Sequence, residues 1–380
     1  MHHDSQRTST RRWLVAAYVL ASLASVAGCG GGSGGGDDGD SNPPPTEPSV
    51  QQRQQAAIET VQHNVACTSI TPFYWEIGDQ NNSLASGSGG DGSAAAPTAS
   101  TLMSIASASK WLFGAYVLEK QAVTPEHPLS ADELTYLNFT SAYHSLSSGS
   151  CTLSHSVGDC FTAAHIGGHN DDATAADIGH FFYNGGHFQA YATNSLGLGN
   201  TFDNATTEQP KLAAEMQSQL GLDISVFYSD PQLAGGAVMT AENYSRFLRK
   251  ILSGQLRMHD YLGRNSVCTH TNSSDCPSAL YSPVNQSEPG LGENDISDEA
   301  WHYSLGHWVE DDPTVGDGAF SSAGAFGFYP WIDASKTWYG VIARRDSSQV
   351  GGSDPSGRAY FTSVQCGRLL RKAWLSGSAQ

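Results

Sequence analysis

The order of segments along the chain predicts an α/β (α+β) domain: an antiparallel sheet built from both chain ends, flanked by helices and carrying an inserted helical and loop region. Three observations predict this. A strand-like run and a long apolar run open the domain, three strand-like runs and a helix close it, and an irregular stretch from about 124 to 232 lies between them. At 380 residues the chain is long enough to bury a full core.

The first 28 residues have a basic head (Arg7, Arg11, Arg12), an apolar run from Trp13, and small residues leading to Cys29. The apolar run is shorter than the roughly 20 residues a helix needs to cross a bilayer, so it predicts an export signal. Val26-Ala27-Gly28-Cys29 resembles the lipobox of bacterial lipoproteins, which implies that Cys29 is acylated and becomes the new N-terminus. Residues 29 to 50, rich in Gly, Ser and Pro, are expected to be a flexible tether between the lipid and a hydrolase domain at 51 to 380. Gly30 after the cysteine, rather than aspartate, points to the outer membrane.

Removing residues 1 to 28 takes away three arginines and one aspartate, which leaves 16 basic against 36 acidic residues, a net charge of −20. Such a field argues against nucleic acid or an anionic membrane surface as ligand. Apart from Cys29 there are six cysteines, an even number that reads as disulfides in an exported chain. Cys151 with Cys160 and Cys268 with Cys276 each close a short polar loop, leaving Cys67 with Cys366 to join the ends of the domain. No CxxC pair supports a metal role for them.

The elements follow in order. "SITPFYWEIGD", aromatic and β-branched, predicts a first strand, and the Gly/Ser-rich "QNNSLASGSGGDGSAAAPTAS" a polar connection. "IASASKWLFGAYVLEK" is apolar over too long a run for a strand and predicts a buried helix. In the insertion, "CTLSHSVGDC" predicts a disulfide loop and "TAADIGHFFYNG" a short helix. "MTAENYSRFLRKILSG" carries a Thr240 N-cap, Glu242 in the first turn, a stripe of Tyr244, Phe247, Leu248, Ile251 and Leu252, and a closing Gly254, which define a helix. "AWHYSLGHWVE", "GAFGFYPWID" and "WYGVIARRD" predict strands, and "SGRAYFTSVQCGRLLRKAWLS" a final helix.

Ser107 and Lys110, at i and i+3, share one helix face, so a hydroxyl and an amine can meet there. A serine becomes nucleophilic when a base takes its proton, and lysine serves as that base when burial lowers its pKa. The apolar sequence after Lys110 supplies the burial. Spacing alone is weak evidence, but "IASASKW" resembles the nucleophile segment of the serine β-lactamase and penicillin-binding-protein superfamily, especially its class C and esterase-like branch. "LTYLNFTSAY", "QLAGGAVMTAENYSRFLRKIL", "WHYSLGHWV" and "SSAGAFGFYPWIDASKTWYGVIARRD" resemble further segments of that branch in the same order, over most of residues 65 to 375.

The resemblance implies a second motif, Tyr-x-Asn, whose tyrosine helps move protons. Tyr191 in "GGHFQAYATNSLG" is the favoured candidate, with its asparagine one position late at Asn194; Tyr228, with Asp230 in the asparagine position, is the rival. The third motif, usually Lys-Thr-Gly or His-x-Gly, falls on Ser322-Ala323-Gly324, on a strand expected to run on through "AFGFYPWID" and turn at "ASK". Lys336-Thr337-Trp338 is a poorer match, which makes Lys336 a turn lysine. The resemblance further implies that the amides of Ser107 and Ala325 form an oxyanion hole.

Ser322 removes the cation that would hold a substrate carboxylate. The sequence therefore predicts an exported serine hydrolase acting on a small or oligomeric ester or amide, esterase-like rather than a β-lactamase. The rivals are a D-amino-acid carboxypeptidase or β-lactamase, and a non-catalytic binding lipoprotein on the same fold. Trp301, Trp308 and Trp331 are candidates for an apolar acyl pocket. His165, His169, His180 and His187 read as loop histidines rather than zinc ligands, since an HxxxH pair broken by Gly-Gly lacks a helix and a glutamate. No cofactor or metal is expected.

Overall fold

The computed structural model describes residues 47–90, 96–202, 211–286, 296–346 and 359–380. The expected export signal, Cys29 and most of the expected tether lie outside the described residues. Glu47–Gln380 form one compact unit.

Its centre is an eight-stranded antiparallel sheet. In spatial order the strands are Ser83–Gly89, Phe73–Asp79, Trp338–Ala343, Tyr329–Ile332, Ala319–Ser321, His307–Glu310, His302–Ser304 and Val267–Cys268. The two chain ends meet where Phe73–Asp79 pairs with Trp338–Ala343, in the register Tyr74↔Ala343 to Asp79↔Trp338. Both strands are buried on both faces apart from half-buried Asp79, which is why they read as continuous apolar runs rather than alternating ones.

Four elements differ from expectation. Ser83–Gly89, read as a connection, is an edge strand paired to Phe73–Asp79. Its small residues have low strand propensity, but they fit beneath large rings: a Cβ on Gly89 would lie 2.2 Å from the Phe73 ring. "AWHYSLGHWVE" is a hairpin, not one strand, because Leu305 (φ 45°) and Gly306 (φ 90°) form a two-residue turn with both residues left-handed. The expected strand from Ser322 onward is likewise a turn: Gly324 donates to the Phe328 carbonyl at 2.8 Å and Gly327 to Gly324 at 2.8 Å, so the sheet resumes only at Tyr329. Finally, "TAADIGHFFYNG" holds a single 3-10 turn, Ala175–Asp177, and the short strand Phe181–Phe182; the helix begins later, at Gly186. Gly179, at φ 86°, ends the helical path.

Helices cover the sheet. Val50–His63 starts at the end of the expected tether, with Ser49 and Gln52 forming a reciprocal capping box, and packs on the C-terminal helix Ala359–Ser376. A disulfide between Cys67 and Cys366 joins those two regions; Cys151–Cys160 and Cys268–Cys276 close the two short loops. Ala241–Leu252 buries its Tyr244, Phe247, Leu248, Ile251 and Leu252 stripe against the sheet, and Thr240 accepts the Asn243 amide as its cap.

Ser109–Lys120 is buried on every side from Ser109 to Leu118. The 302–310 hairpin seats its turn on this helix so closely that a Cβ on Gly114 would lie 2.0 Å from the Leu305 carbonyl. That contact fixes the helix carrying Lys110 relative to the strand bearing Trp308 and the neighbouring strand that leads into Ser322.

Candidate active site

Ser107 sits in a 3-10 turn, Ala106–Ala108, at the head of the helix Ser109–Lys120. Ala106 is held at φ 45°, a left-handed conformation that costs a non-glycine residue free energy, immediately before the serine. The turn is tied down from outside: Ile105 donates to the Ala237 carbonyl at 3.1 Å, and the buried Ser109 hydroxyl bridges the Ala106 carbonyl (2.6 Å) and the Ala237 amide (3.2 Å).

Lys110 Nζ lies 2.9 Å from Ser107 Oγ and donates to the Ala234 carbonyl at 2.8 Å. Its side chain is 5 % exposed, and among the described residues no carboxylate pairs with it. Burial without a counter-charge disfavours the ammonium and lowers its pKa from 10.5 to about 7. Ser107 thus has, within proton-transfer distance, an amine that is substantially neutral at pH 7.

The tyrosine beside this pair is Tyr183. Lys110 Nζ stands 4.8 Å from its ring centroid, and its phenol interacts with the Ser107 and Trp308 side chains, which hold its pKa below where burial alone would set it. Burial is the larger effect and raises that pKa to about 12, so Tyr183 is a neutral phenol at pH 7. Its ring is stacked on Trp308 at 5.2 Å and edge-on to Phe139 and Tyr303.

Tyr191 is elsewhere. Its hydroxyl donates to Glu133 at 2.7 Å and its ring stacks on Tyr136, so it packs the inserted helices together. Asn194, at the end of the same helix, is exposed. Tyr228, on the short strand Phe227–Tyr228, faces Tyr116 rather than the serine. The signal for Tyr183 was present as Tyr183-Asn184-Gly185-Gly186, with the asparagine one position early instead of late. Asn184 lines the cleft at Ser107 and accepts the Gly186 amide at 2.8 Å.

The third segment lies on the other side of the serine. Ser322 is buried and its hydroxyl donates to the Ser107 carbonyl at 3.1 Å. Gly324 must be glycine for the turn to approach, because a Cβ there would lie 2.2 Å from the Ile105 carbonyl. The turn delivers Ala325 to the wall beside Ser107, and the Ala325 amide donates to no described residue. Lys336 is in the next turn, with its ammonium on the His259 carbonyl.

Two cavities meet at Ser107, sharing Tyr183 and Ala325 as walls. One is small and apolar, with Trp301, Trp308, Val284, Ile296 and Val364 in its lining. The other is a larger polar cleft whose walls include Asn184, Ser229, Asp230, Gln232 and Arg345. Trp331 lines neither; it packs in the core beneath Gly340, where a Cβ would lie 2.1 Å from its ring. Among the histidines, His187 is buried between Ser141 and the Phe182 carbonyl, while His165 and His169 sit on the Ala164–His169 hairpin.

No protein-family model and no curated protein matches the sequence. Solved structures do. A candidate β-lactamase from Bacteroides dorei DSM 17855 is similar over 80 % of this chain and 93 % of its own, at 18 % identity and TM-score 0.51. FmtA from Staphylococcus aureus is similar over 87 % of this chain and 93 % of its own, at 13 % identity and TM-score 0.50. The chain has the fold of the serine β-lactamase and penicillin-binding-protein superfamily.

Proposed function

We propose that the protein is a serine hydrolase that cleaves an ester or amide through an acyl-enzyme on Ser107. The observation that carries this reading is the 2.9 Å approach of Ser107 Oγ to a buried lysine whose pKa is lowered to about 7. Neutral Lys110 takes the serine proton as Oγ attacks the carbonyl carbon. The oxyanion is held by the amides of Ser107 and Ala325, donors of a kind worth roughly 3 to 4 kcal/mol each. Lys110 then returns the proton to the leaving atom by way of the Tyr183 phenol, and water, deprotonated by the same pair, releases the acyl group.

Ester or neutral amide hydrolysis is favoured over β-lactam or D-amino-acid carboxypeptidase activity because Ser322 spends its hydroxyl on the Ser107 carbonyl and carries no charge. The N-terminal sequence supports an exported lipoprotein, outer-membrane anchored through Cys29. The test is hydrolysis of p-nitrophenyl butyrate and a chromogenic cephalosporin by the wild-type chain and Ser107→Ala. Serine-dependent ester turnover with little lactam cleavage is expected. Dominant lactam cleavage would move the protein to the cell-wall branch, and inertness to both, with no labelling by a fluorophosphonate, would favour a binding protein.

A further inference from the structure

Asp230 stands in the wall of the polar cleft that opens on Ser107, and nothing in the reaction above uses it. It follows the strand Phe227–Tyr228 and precedes the Gly235-Gly236 turn. Its Oδ1 accepts the Gln232 amide at 3.2 Å, which forms the local turn, and among the described residues its Oδ2 accepts only the Ser229 hydroxyl, also at 3.2 Å. A carboxylate has about four acceptor sites, so half of its capacity is unspent. Burial is the largest influence on Asp230 and raises its pKa, and among the described residues no lysine, arginine or histidine contributes to offset it. Arg345 shares the cleft but is exposed, with its guanidinium over the Phe326 ring at 5.4 Å, and does not neutralise Asp230.

A second, independent feature lies in the same wall. The Gln232 side chain is 7 % exposed, and its Nε2 is buried without an acceptor among the described residues. The side chain folds back over Gly235, where a Cβ would lie 2.4 Å from Oε1. Among the described residues the wall therefore offers a part-buried carboxylate with no cation beside it and a buried amide with no acceptor, the second of which is costly to leave unpaired.

Resting on the reading of Ser107 as nucleophile, we propose that the substrate carries an organic cation, an ammonium group beside a polar atom, and that Asp230 in the polar cleft is its counter-charge while the apolar cavity takes the uncharged part of the molecule. Asp230 is then a specificity-determining residue, not a catalytic one. Asp230→Asn keeps the acceptor that forms the turn and removes the charge alone, so the fold is preserved.

The experiment compares isosteric pairs that differ only in charge, on both sides of the scissile bond. For the acyl side these are p-nitrophenyl 6-(trimethylammonio)hexanoate and p-nitrophenyl 7,7-dimethyloctanoate; for the leaving side, butyrylcholine and 3,3-dimethylbutyl butyrate. The expected result is a preference in kcat/KM of about tenfold for the cation in one of the two pairs, the size of one close charge pair at the weak end of the range. Asp230→Asn abolishes that preference and leaves p-nitrophenyl butyrate turnover within about twofold. Turnover of p-nitrophenyl butyrate with no charge preference in either pair, or with a preference that Asp230→Asn retains, overturns the proposal while the Ser107 reading stands. Absence of serine-dependent turnover of every ester, with no fluorophosphonate labelling, is the separate failure of the reading beneath it and removes the proposal as well.

Discussion

If neutral Lys110 is the base, the pH dependence of the first chemical step is set by its burial. An ordinary lysine, with a pKa near 10.5, is neutral in roughly 3 of 10,000 molecules at pH 7. With the pKa lowered to about 7, roughly half of the molecules carry the free amine. The competing base, the Tyr183 phenolate, has a pKa raised to about 12 and is present at roughly 1 in 100,000 at pH 7, so the lysine dominates. The expected profile of kcat/KM for p-nitrophenyl butyrate rises about tenfold per pH unit below pH 6.5 and flattens above pH 7.5. It is read at the nitrophenol isosbestic wavelength so that product ionisation does not enter.

The same shift has a stability counterpart with a definite sign. Between about 7 and 10.5 the unfolded chain binds a proton at Lys110 that the folded chain does not, so folding becomes more favourable as pH rises through that window. A Lys110→Met variant lacks this contribution, and the wild type should gain on it in thermal stability from pH 7 to pH 10. An acid limb centred above pH 9, or a rate independent of pH from 5 to 9, would refute the assignment of Lys110 as the neutral base.

Tyr183→Phe should lower kcat at least 100-fold, whereas Tyr191→Phe, which loses only the hydrogen bond to Glu133, should keep kcat within about threefold and lose some thermal stability. Gly324→Ala drives a Cβ into the Ile105 carbonyl and displaces the turn that carries Ala325; kcat should fall about 100-fold in a protein whose circular dichroism is unchanged, as when one oxyanion donor is lost. Trp308→Ala should enlarge the apolar cavity and raise the ratio of kcat/KM for octanoate over butyrate esters, even though the loss of its stacking on Tyr183 lowers both.

Where burial decided structure, the sequence was informative. The strand Phe73–Asp79, the helix Ser109–Lys120 and the capped stripe from Thr240 to Leu252 each announced themselves through apolar pattern and end signals. The meeting of the two chain ends in one sheet followed from their order. Ser107 and Lys110 stood out through the resemblance of "IASASKW", since the i, i+3 spacing alone is weak evidence, and the structure places their side chains 2.9 Å apart. The tyrosine beside them was not visible, because its position depends on tertiary contacts: Tyr183 is held near the serine by stacking on Trp308 and by an edge-on contact with Tyr303, residues more than a hundred positions away. A motif read by spacing alone favoured Tyr191, which packs against Glu133 instead. Ser83–Gly89 escaped for a related reason, since its smallness serves Phe73 and Trp75 rather than any local preference. The turns at Leu305-Gly306 and Gly324–Gly327 were hidden inside runs apolar enough to pass for single strands.

The most direct test of the central claim is to trap the covalent intermediate. The purified chain is mixed with p-nitrophenyl butyrate, quenched in acid within the first turnovers, digested and examined by mass spectrometry. The account predicts a butyryl group on the peptide containing Ser107, absent from Ser107→Ala and accumulating in Tyr183→Phe, where deacylation is impaired. Ester turnover at the wild-type rate by Ser107→Ala, or an acyl group found on any other residue, would contradict it.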